Sequence, residues 1–214
     1  GCRVMSRHIN IPVFIPHEGC PNDCIFCNQR KISGTLRAPN EQEIRKIIEE
    51  HLETARDEDF CEIAFFGGSF TGLPIYRQEQ YLGIARHYVE TGRVKGIRLS
   101  TRPDYINDEI LAFLKEYSVK VVELGIQSLD EEVLRRSNRH YSPETALLAC
   151  RMIKEHGLSL GVQTMIGLPG DTLEKSINTA RRLIELKPDM ARIYPTLVIS
   201  GTALEQEYLN KRYS

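Results

Sequence analysis

The chain has 214 residues, of which 41% are hydrophobic and 27% are charged, and its formal net charge at pH 7 is −1. This composition excludes a disordered chain and is typical of one globular domain with a large core. The near-neutral charge gives no general argument for a polyanionic partner. No apolar stretch approaches the roughly 18 residues that a membrane helix needs, and no secretory leader pattern is present, so we expect a cytoplasmic protein.

Six short runs rich in apolar and β-branched residues predict β-strands, and helical patterns lie between them. The predicted strands span residues 11–15, 62–67, 96–101, 120–127, 160–167 and 191–199. One helix is predicted to begin at Asn40, and the others fall within residues 75–91, 107–117, 142–157, 170–186 and 202–212.

Local signals mark several helix ends. Asn40 and Glu43 form a capping-box pair, and Asp171 with Glu174 repeats this device. Ser142 followed by proline, with a glycine at the far end, is typical of a helix start and stop. Four residues of the helix after Asp171 are expected to face inward: Ile177, Ala180, Leu183 and Ile184.

The regular alternation of strands and helices predicts a parallel α/β sheet. Six strand–helix units are too few for a closed eight-stranded barrel, so we expect a partial (β/α)6 TIM-like barrel with an open lateral side. Residues 1–10 would form an N-terminal segment, and residues 11–214 the core domain, lacking a further C-terminal segment. The open side leaves strand edges that a substrate, a partner or such a segment should cover.

The chemically distinctive segments all follow predicted strands. A cysteine-rich loop follows the first strand, and "GGSF", "STRPD", "IQSLD" and "GLPGD" follow the next four. Active sites of (β/α) barrels and of open α/β sheets lie at the carboxyl ends of the strands. The sequence therefore predicts a functional site at that end of the sheet.

Three of the six cysteines, Cys20, Cys24 and Cys27, lie within eight positions of one turn-rich loop. In a cytoplasmic protein such a cluster is more typical of metal binding than of disulfides. Three thiolates would leave one iron of a [4Fe-4S] cluster open to another ligand. A structural zinc ion would instead need a fourth ligand, which His17 could supply. Two other cysteines stand among apolar residues and are predicted to be buried structural thiols: Cys61 and Cys150.

The spacing Cys-x3-Cys-x2-Cys, with Phe26 before the third cysteine, resembles the signature of the radical S-adenosylmethionine (SAM) superfamily. The resemblance implies that the three thiolates bind a [4Fe-4S] cluster whose fourth iron holds the amino and carboxylate groups of SAM. An electron from the cluster would cleave SAM to a 5′-deoxyadenosyl radical, which abstracts hydrogen from a substrate. It also implies a reductant such as flavodoxin or ferredoxin as a partner.

Further motifs resemble the SAM-binding segments of that superfamily. Gly67-Gly68-Ser69 resembles the turn that approaches the methionyl amino group, with serine in place of glutamate. The resemblance implies that Gln127 hydrogen-bonds the ribose and that Arg139, twelve residues later, binds the SAM carboxylate. The other implied cofactor contacts are Phe26, Ser100 at a ribose-binding position, and Ile166 and Gly167 beside adenine.

The segments "FGGSFTGLP", "STRPDYI", "GIQSLD", "GLPGD" and "YPTLVISGTAL" together are similar to the Elongator catalytic-subunit family and its short bacterial homologues. This resemblance implies a radical SAM core without an acetyltransferase domain and points to transfer RNA as substrate. Basic and aromatic side chains suit nucleotides, and the substrate-facing candidates are Arg98, Arg102, Arg192 and Tyr194. Arg102 could equally be a structural ion-pair partner.

Two alternatives stay open. The sequence also resembles oxygen-independent coproporphyrinogen oxidase, another radical SAM enzyme, in its "GxQS" segment and the spacing to "NR". The alternative from a different class is a zinc-stabilised binding module with a Cys3His site completed by His17. That module would be colourless and would have no use for Gln127 or Arg139.

Overall fold

Strands and helices alternate in the computed structural model, which describes residues 6–16, 24–27 and 37–213. The strands are β1 (His8–Ile15), β2 (Phe60–Gly67), β3 (Gly96–Thr101), β4 (Val119–Gln127), β5 (Ser159–Ile166) and β6 (Met190–Pro195). The helices are α1 (Glu41–Glu53), α2 (Ile75–Glu90), α3 (Asp108–Glu116), α4 (Glu131–Arg136), α5 (Pro143–Glu155), α6 (Leu173–Glu185) and α7 (Ala203–Leu209). The predicted strands and helices are all present, but β1 begins at His8, inside the segment predicted to precede the first strand, and the short helix α4, capped by Asp130, was not predicted.

The strands form one sheet in the order β1-β2-β3-β4-β5-β6, and every neighbouring pair is parallel. Among the described residues β1 does not pair with β6, so the sheet is a curled half-barrel with an open side, as predicted. Pro12 lies in the edge strand β1, where a missing N–H is tolerated. Strand β6 ends at Pro195 and not at residue 199, because its neighbour β5 ends at Ile166.

The two faces of the sheet differ in polarity because successive side chains of a strand point to opposite faces. The outer face packs against the helices and contributes buried apolar residues from each of the first five strands: Ile11, Ile63, Leu99, Leu124 and Leu160. The concave inner face carries polar residues instead: Asn10, Glu62, Arg98, Ser100, Glu123, Gln163 and Arg192. The concave face is therefore available to hold ligands.

Helix α6 departs from its prediction in two respects. Its N-cap is Thr172 and not Asp171, since the Thr172 hydroxyl accepts the Lys175 N–H at 3.2 Å. The Asp171 carboxylate instead accepts the Gly167 N–H at 2.9 Å. The loop at the carboxyl end of β5 therefore decides which of two adjacent residues caps α6.

The buried face of α6 was also wrongly predicted in part. Ile177 and Ile184 are 41% and 69% exposed, whereas Leu183 is buried as expected. The helix is rotated so that Thr179 is buried and its hydroxyl accepts the Leu129 N–H at 3.1 Å. This contact directs α6 toward the segment after β4 and leaves part of its apolar stripe exposed.

The isolated cysteines are buried structural thiols, as predicted. Cys61 is 3% exposed and Cys150 is fully buried in the core between the helices and the sheet. Burial raises the pKa of both thiols, and that of Cys150 to about 12. Within the described part of the chain, none of the helices is long and apolar enough to cross a membrane.

Candidate functional site

A pocket of about 210 Å³ lies on the concave face at the carboxyl ends of the strands. The segments that follow β1, β2, β3 and β4 all contribute to its walls, as expected for a parallel sheet. The predicted site residues that line it are Cys24, Phe26, Cys27, Gly67, Gly68, Ser69, Ser100, Arg102, Gln127 and Arg139. Two predicted ligands, Cys20 and the alternative His17, lie outside the described residues.

Backbone hydrogen bonds position the cysteine segment over the end of the sheet. The Ile25 N–H donates to the Ser137 carbonyl at 3.2 Å, and the Ile25 carbonyl accepts the Leu204 N–H at 2.9 Å. The Cys27 N–H donates to the Cys24 carbonyl at 2.9 Å and closes a turn. In residues 6–16, 24–27 and 37–213, no three His, Cys, Asp or Glu side chains are grouped to hold a metal ion. Of the three predicted thiol ligands, Cys24 and Cys27 line the pocket.

Arg139 lies against the Cys24 thiol inside the pocket. It is 5% exposed, and its Nη1 donates to Cys24 Sγ at 3.2 Å. Its Nε donates to the Tyr141 hydroxyl at 3.0 Å, and its Nη2 donates to the Gly125 carbonyl. Burial lowers the pKa of Arg139, but Tyr141 and Cys24 raise it more, so the net shift is upward. A permanent cation therefore stands beside the thiol.

Arg102 is a second buried cation next to Cys24. Its Nη1 donates to Cys24 Sγ at 3.6 Å, while Nε and Nη2 form a forked ion pair with Asp104 at 2.9 and 3.1 Å. Nη2 also donates to the Arg139 carbonyl. Of the two roles that the sequence left open for Arg102, the structure contains the ion pair.

Gly67 turns the chain sharply at the end of β2. Its φ of +111° lies in a region that residues with a Cβ rarely adopt. A Cβ here would lie 2.6 Å from the Ile15 carbonyl oxygen, and the next N–H, that of Gly68, donates to this same oxygen at 2.8 Å. Only glycine therefore lets the backbone of this turn line the pocket.

Gln127 combines backbone strain with an unpaired polar atom. Its φ is +68°, and the β4–β5 register shifts between Gly125 and Gln127. The residue is 6% exposed, and its Oε1 is buried without a hydrogen-bond partner in the described part of the chain. An unsatisfied buried carbonyl costs about 1–3 kcal/mol, so a ligand hydroxyl or amino group in the pocket would stabilise this arrangement.

The other predicted residues lie outside this pocket. Ile166 is 45% exposed, and the Gly167 N–H is bonded to Asp171. Arg98 is buried deeper in the half-barrel, where it pairs with Glu123 and lies 3.5 Å from Glu62. Two residues of β6 are exposed on the open side: Arg192 and Tyr194.

Sequence reasoning missed three pocket residues, Thr101, Gly125 and Gln163. Gly125 and Gln163 pair across β4 and β5, and each lies two residues beyond an inner-face position. The period of two along each strand could have identified them. The Thr101 hydroxyl is hydrogen-bonded to that of Thr71 at 2.5 Å, a contact between distant segments that no local pattern signals.

The sequence profile of the Radical SAM superfamily matches residues 14–183 of the chain. The chain is 27% identical over 246 residues to a tRNA uridine(34) acetyltransferase of Dehalococcoides mccartyi, and the match covers 99% of this chain and 54% of that enzyme. It is 29% identical over 189 residues to human Elongator complex protein 3, with 79% of this chain and 35% of that protein covered. The chain thus spans about half of these relatives or less.

A solved structure of archaeal Elp3 from Methanocaldococcus infernus superposes with a TM-score of 0.77 at 23% identity. The superposition covers 99% of this chain and 51% of that one. At this identity the likeness concerns the fold, and it supports the half-barrel architecture.

Proposed function

The chain belongs to the radical SAM superfamily and is an enzyme, and on that premise we propose that its pocket binds a [4Fe-4S] cluster and SAM for the modification of transfer RNA. The main support is the convergence of loop thiols, a glycine turn and an unpaired buried amide oxygen in one pocket at the strand ends. Each of these features meets a different part of the proposed ligands.

The cysteine segment would hold the cluster. Cys24 and Cys27 would each bind one iron, and Cys20 is proposed as the third ligand. When bound and reduced by a donor such as flavodoxin or ferredoxin, the cluster would supply the electron that cleaves SAM to a 5′-deoxyadenosyl radical. The hydrogen bonds of Ile25 to Ser137 and Leu204 hold this segment in register with the pocket.

The pocket walls would hold SAM. The unpaired Oε1 of Gln127 would accept a hydrogen bond from a ribose hydroxyl, which removes the free-energy cost of burying this oxygen without a partner. The turn at Gly67 and Gly68 would bring backbone groups close to the methionyl amino group, and Arg139 would contact its carboxylate. Ser69 and Ser100 add hydroxyl groups to the same walls. The adenine contacts proposed for Ile166 and Gly167 would lie beyond the pocket edge.

The substrate proposal depends on the relatives and on the open side of the half-barrel. The relative from Dehalococcoides mccartyi is named as acting on tRNA uridine 34. On the open side, the side chain of Arg192 is 46% exposed and Tyr194 is 43% exposed. A cation and an aromatic ring two positions apart on one strand suit the phosphates and bases of a splayed nucleotide.

The decisive experiment is electron paramagnetic resonance of anaerobically reconstituted, dithionite-reduced protein with and without SAM. We expect a reduced-cluster signal that changes when SAM is added. Cys24→Ala should remove that signal while the fold persists, whereas the matched control Cys150→Ala removes a core thiol and should leave the signal intact. A signal that does not change when SAM is added would refute the proposal. One zinc per chain with no signal would also refute it and would favour the Cys3His module.

A further inference from the structure

Two positively charged side chains lie against Cys24, although binding iron requires only the cysteine sulfur. Two guanidinium groups donate to its Sγ, that of Arg139 at 3.2 Å and that of Arg102 at 3.6 Å. Both arginines are buried, at 5% and 3% exposure. Two buried guanidinium groups at one sulfur are costly to assemble in an apolar site, and a cysteine thiolate bound to a cluster is an acceptor that would offset this cost.

The two guanidinium groups beside Cys24 are only partly compensated by carboxylates. Asp104 is the one carboxylate that hydrogen-bonds either guanidinium among the described residues, and it pairs with Arg102. Tyr141 contributes only a neutral hydroxyl, because burial raises the pKa of its phenol. Without SAM, whose carboxylate is proposed to bind Arg139, two cations and one carboxylate leave one positive charge next to Cys24.

Every guanidinium nitrogen of Arg102 is engaged by a protein group. Its Nε and Nη2 are engaged by Asp104, its Nη2 also by the Arg139 carbonyl, and its Nη1 by Cys24. The guanidinium also lies against the rings of Tyr105 and Tyr141, with its carbon 5.8 and 5.3 Å from their centroids. Arg102 therefore acts on Cys24 and on whatever Cys24 binds.

We propose that Arg102 is a positioning residue that raises the reduction potential of the cluster through the Cys24 thiolate. This inference rests on the proposed function, since it requires that Cys24 binds the cluster. One-electron reduction makes the cluster more negative, with the electron supplied by an external low-potential donor and no bond broken. Hydrogen bonds to a ligand sulfur and a nearby cation both stabilise the more negative state.

The test is a redox titration of the reconstituted protein without SAM, followed by the reduced-cluster resonance signal. Arg102→Gln should lower the equilibrium constant for reduction about tenfold, equivalent to a fall of about 59 mV for one electron. Arg102→Lys keeps the charge and should restore most of that loss. The control Arg93→Gln removes a surface cation that pairs with Glu49 and should leave the potential unchanged.

Several results separate the two proposals. A wild-type protein that forms no cluster contradicts the proposed function itself. A full iron and sulfide content in Arg102→Gln with an unshifted potential, or equal shifts in the glutamine and lysine variants, overturns the inference about Arg102 alone. If Arg102→Gln assembles no cluster, Asp104→Asn tests the same charge balance from the other side. It removes the compensating carboxylate and should raise the potential, and a fall or no change would overturn the inference.

Discussion

Glu123 is the centre of a buried ion-pair network inside the half-barrel, and its replacement by glutamine should strongly destabilise the fold. Its carboxylate accepts from Arg98, and from Arg192 Nη2 at 3.2 Å. Glu62 lies 3.5 Å from Arg98 and supplies the second negative charge. The side chains of Arg98 and Glu123 are only 6% and 9% exposed, so water cannot replace the lost charge.

The expected loss follows from this geometry. In Glu123→Gln, Arg98 would stay buried with only Glu62, 3.5 Å away, as a carboxylate partner, and Arg192 would lose its ion pair. Removal of one partner of a buried ion pair costs about 3–5 kcal/mol. For a domain of this size, each kcal/mol corresponds to about 2–4 °C, so Tm should fall by about 6–20 °C.

Urea and thermal unfolding followed by circular dichroism would measure this loss. The matched control is Glu90→Gln, which removes an exposed carboxylate that pairs with Arg86 at 2.7 Å within α2. That change should cost about 0.3–0.5 kcal/mol. A loss below about 1 kcal/mol in Glu123→Gln would show that the network does not stabilise the half-barrel, contrary to the known cost of breaking buried pairs.

Two further predictions concern backbone strain and pH. Gly67→Ala should destabilise the fold by more than about 1 kcal/mol, because φ at this position is +111° and the new Cβ would lie 2.6 Å from the Ile15 carbonyl oxygen. The control Gly83→Ala places a Cβ with no heavy atom within 4 Å and should stabilise the fold by about 0.5–1 kcal/mol in the same urea assay. Equal effects would contradict the strain at Gly67. Hydrogen bonds from Arg7 hold the pKa of Asp59 well below its ordinary value. Their contribution to stability is therefore complete above about pH 5 and is lost progressively as the pH falls below about 4. The difference in Tm between wild type and Asp59→Asn should then become smaller at acid pH. A difference in Tm that does not change with pH would refute the stabilising role of the Asp59 carboxylate.

Much of the fold could be predicted from local patterns. The strands are short apolar runs between breakers, and the capping box of Asn40 and Glu43 is complete within four residues. Parallel alternation then requires the segments that follow the strands to meet at one edge of the sheet. For this reason the loop containing Cys24, the turn at Gly67 and the end of β4 at Gln127 could be assigned to one site before their geometry was known.

What the sequence by itself determined was the set of elements, the parallel architecture and the edge that carries the site. Only the tertiary structure decided which neighbours each side chain meets. Thr172 caps α6 because Asp171 is engaged by Gly167, and part of the apolar stripe of α6 stays exposed. Arg102 and Arg139 reach Cys24 across 78 and 115 residues. Short-range patterns report local propensity, whereas burial and charge pairing depend on contacts between distant segments, which form only when the chain folds.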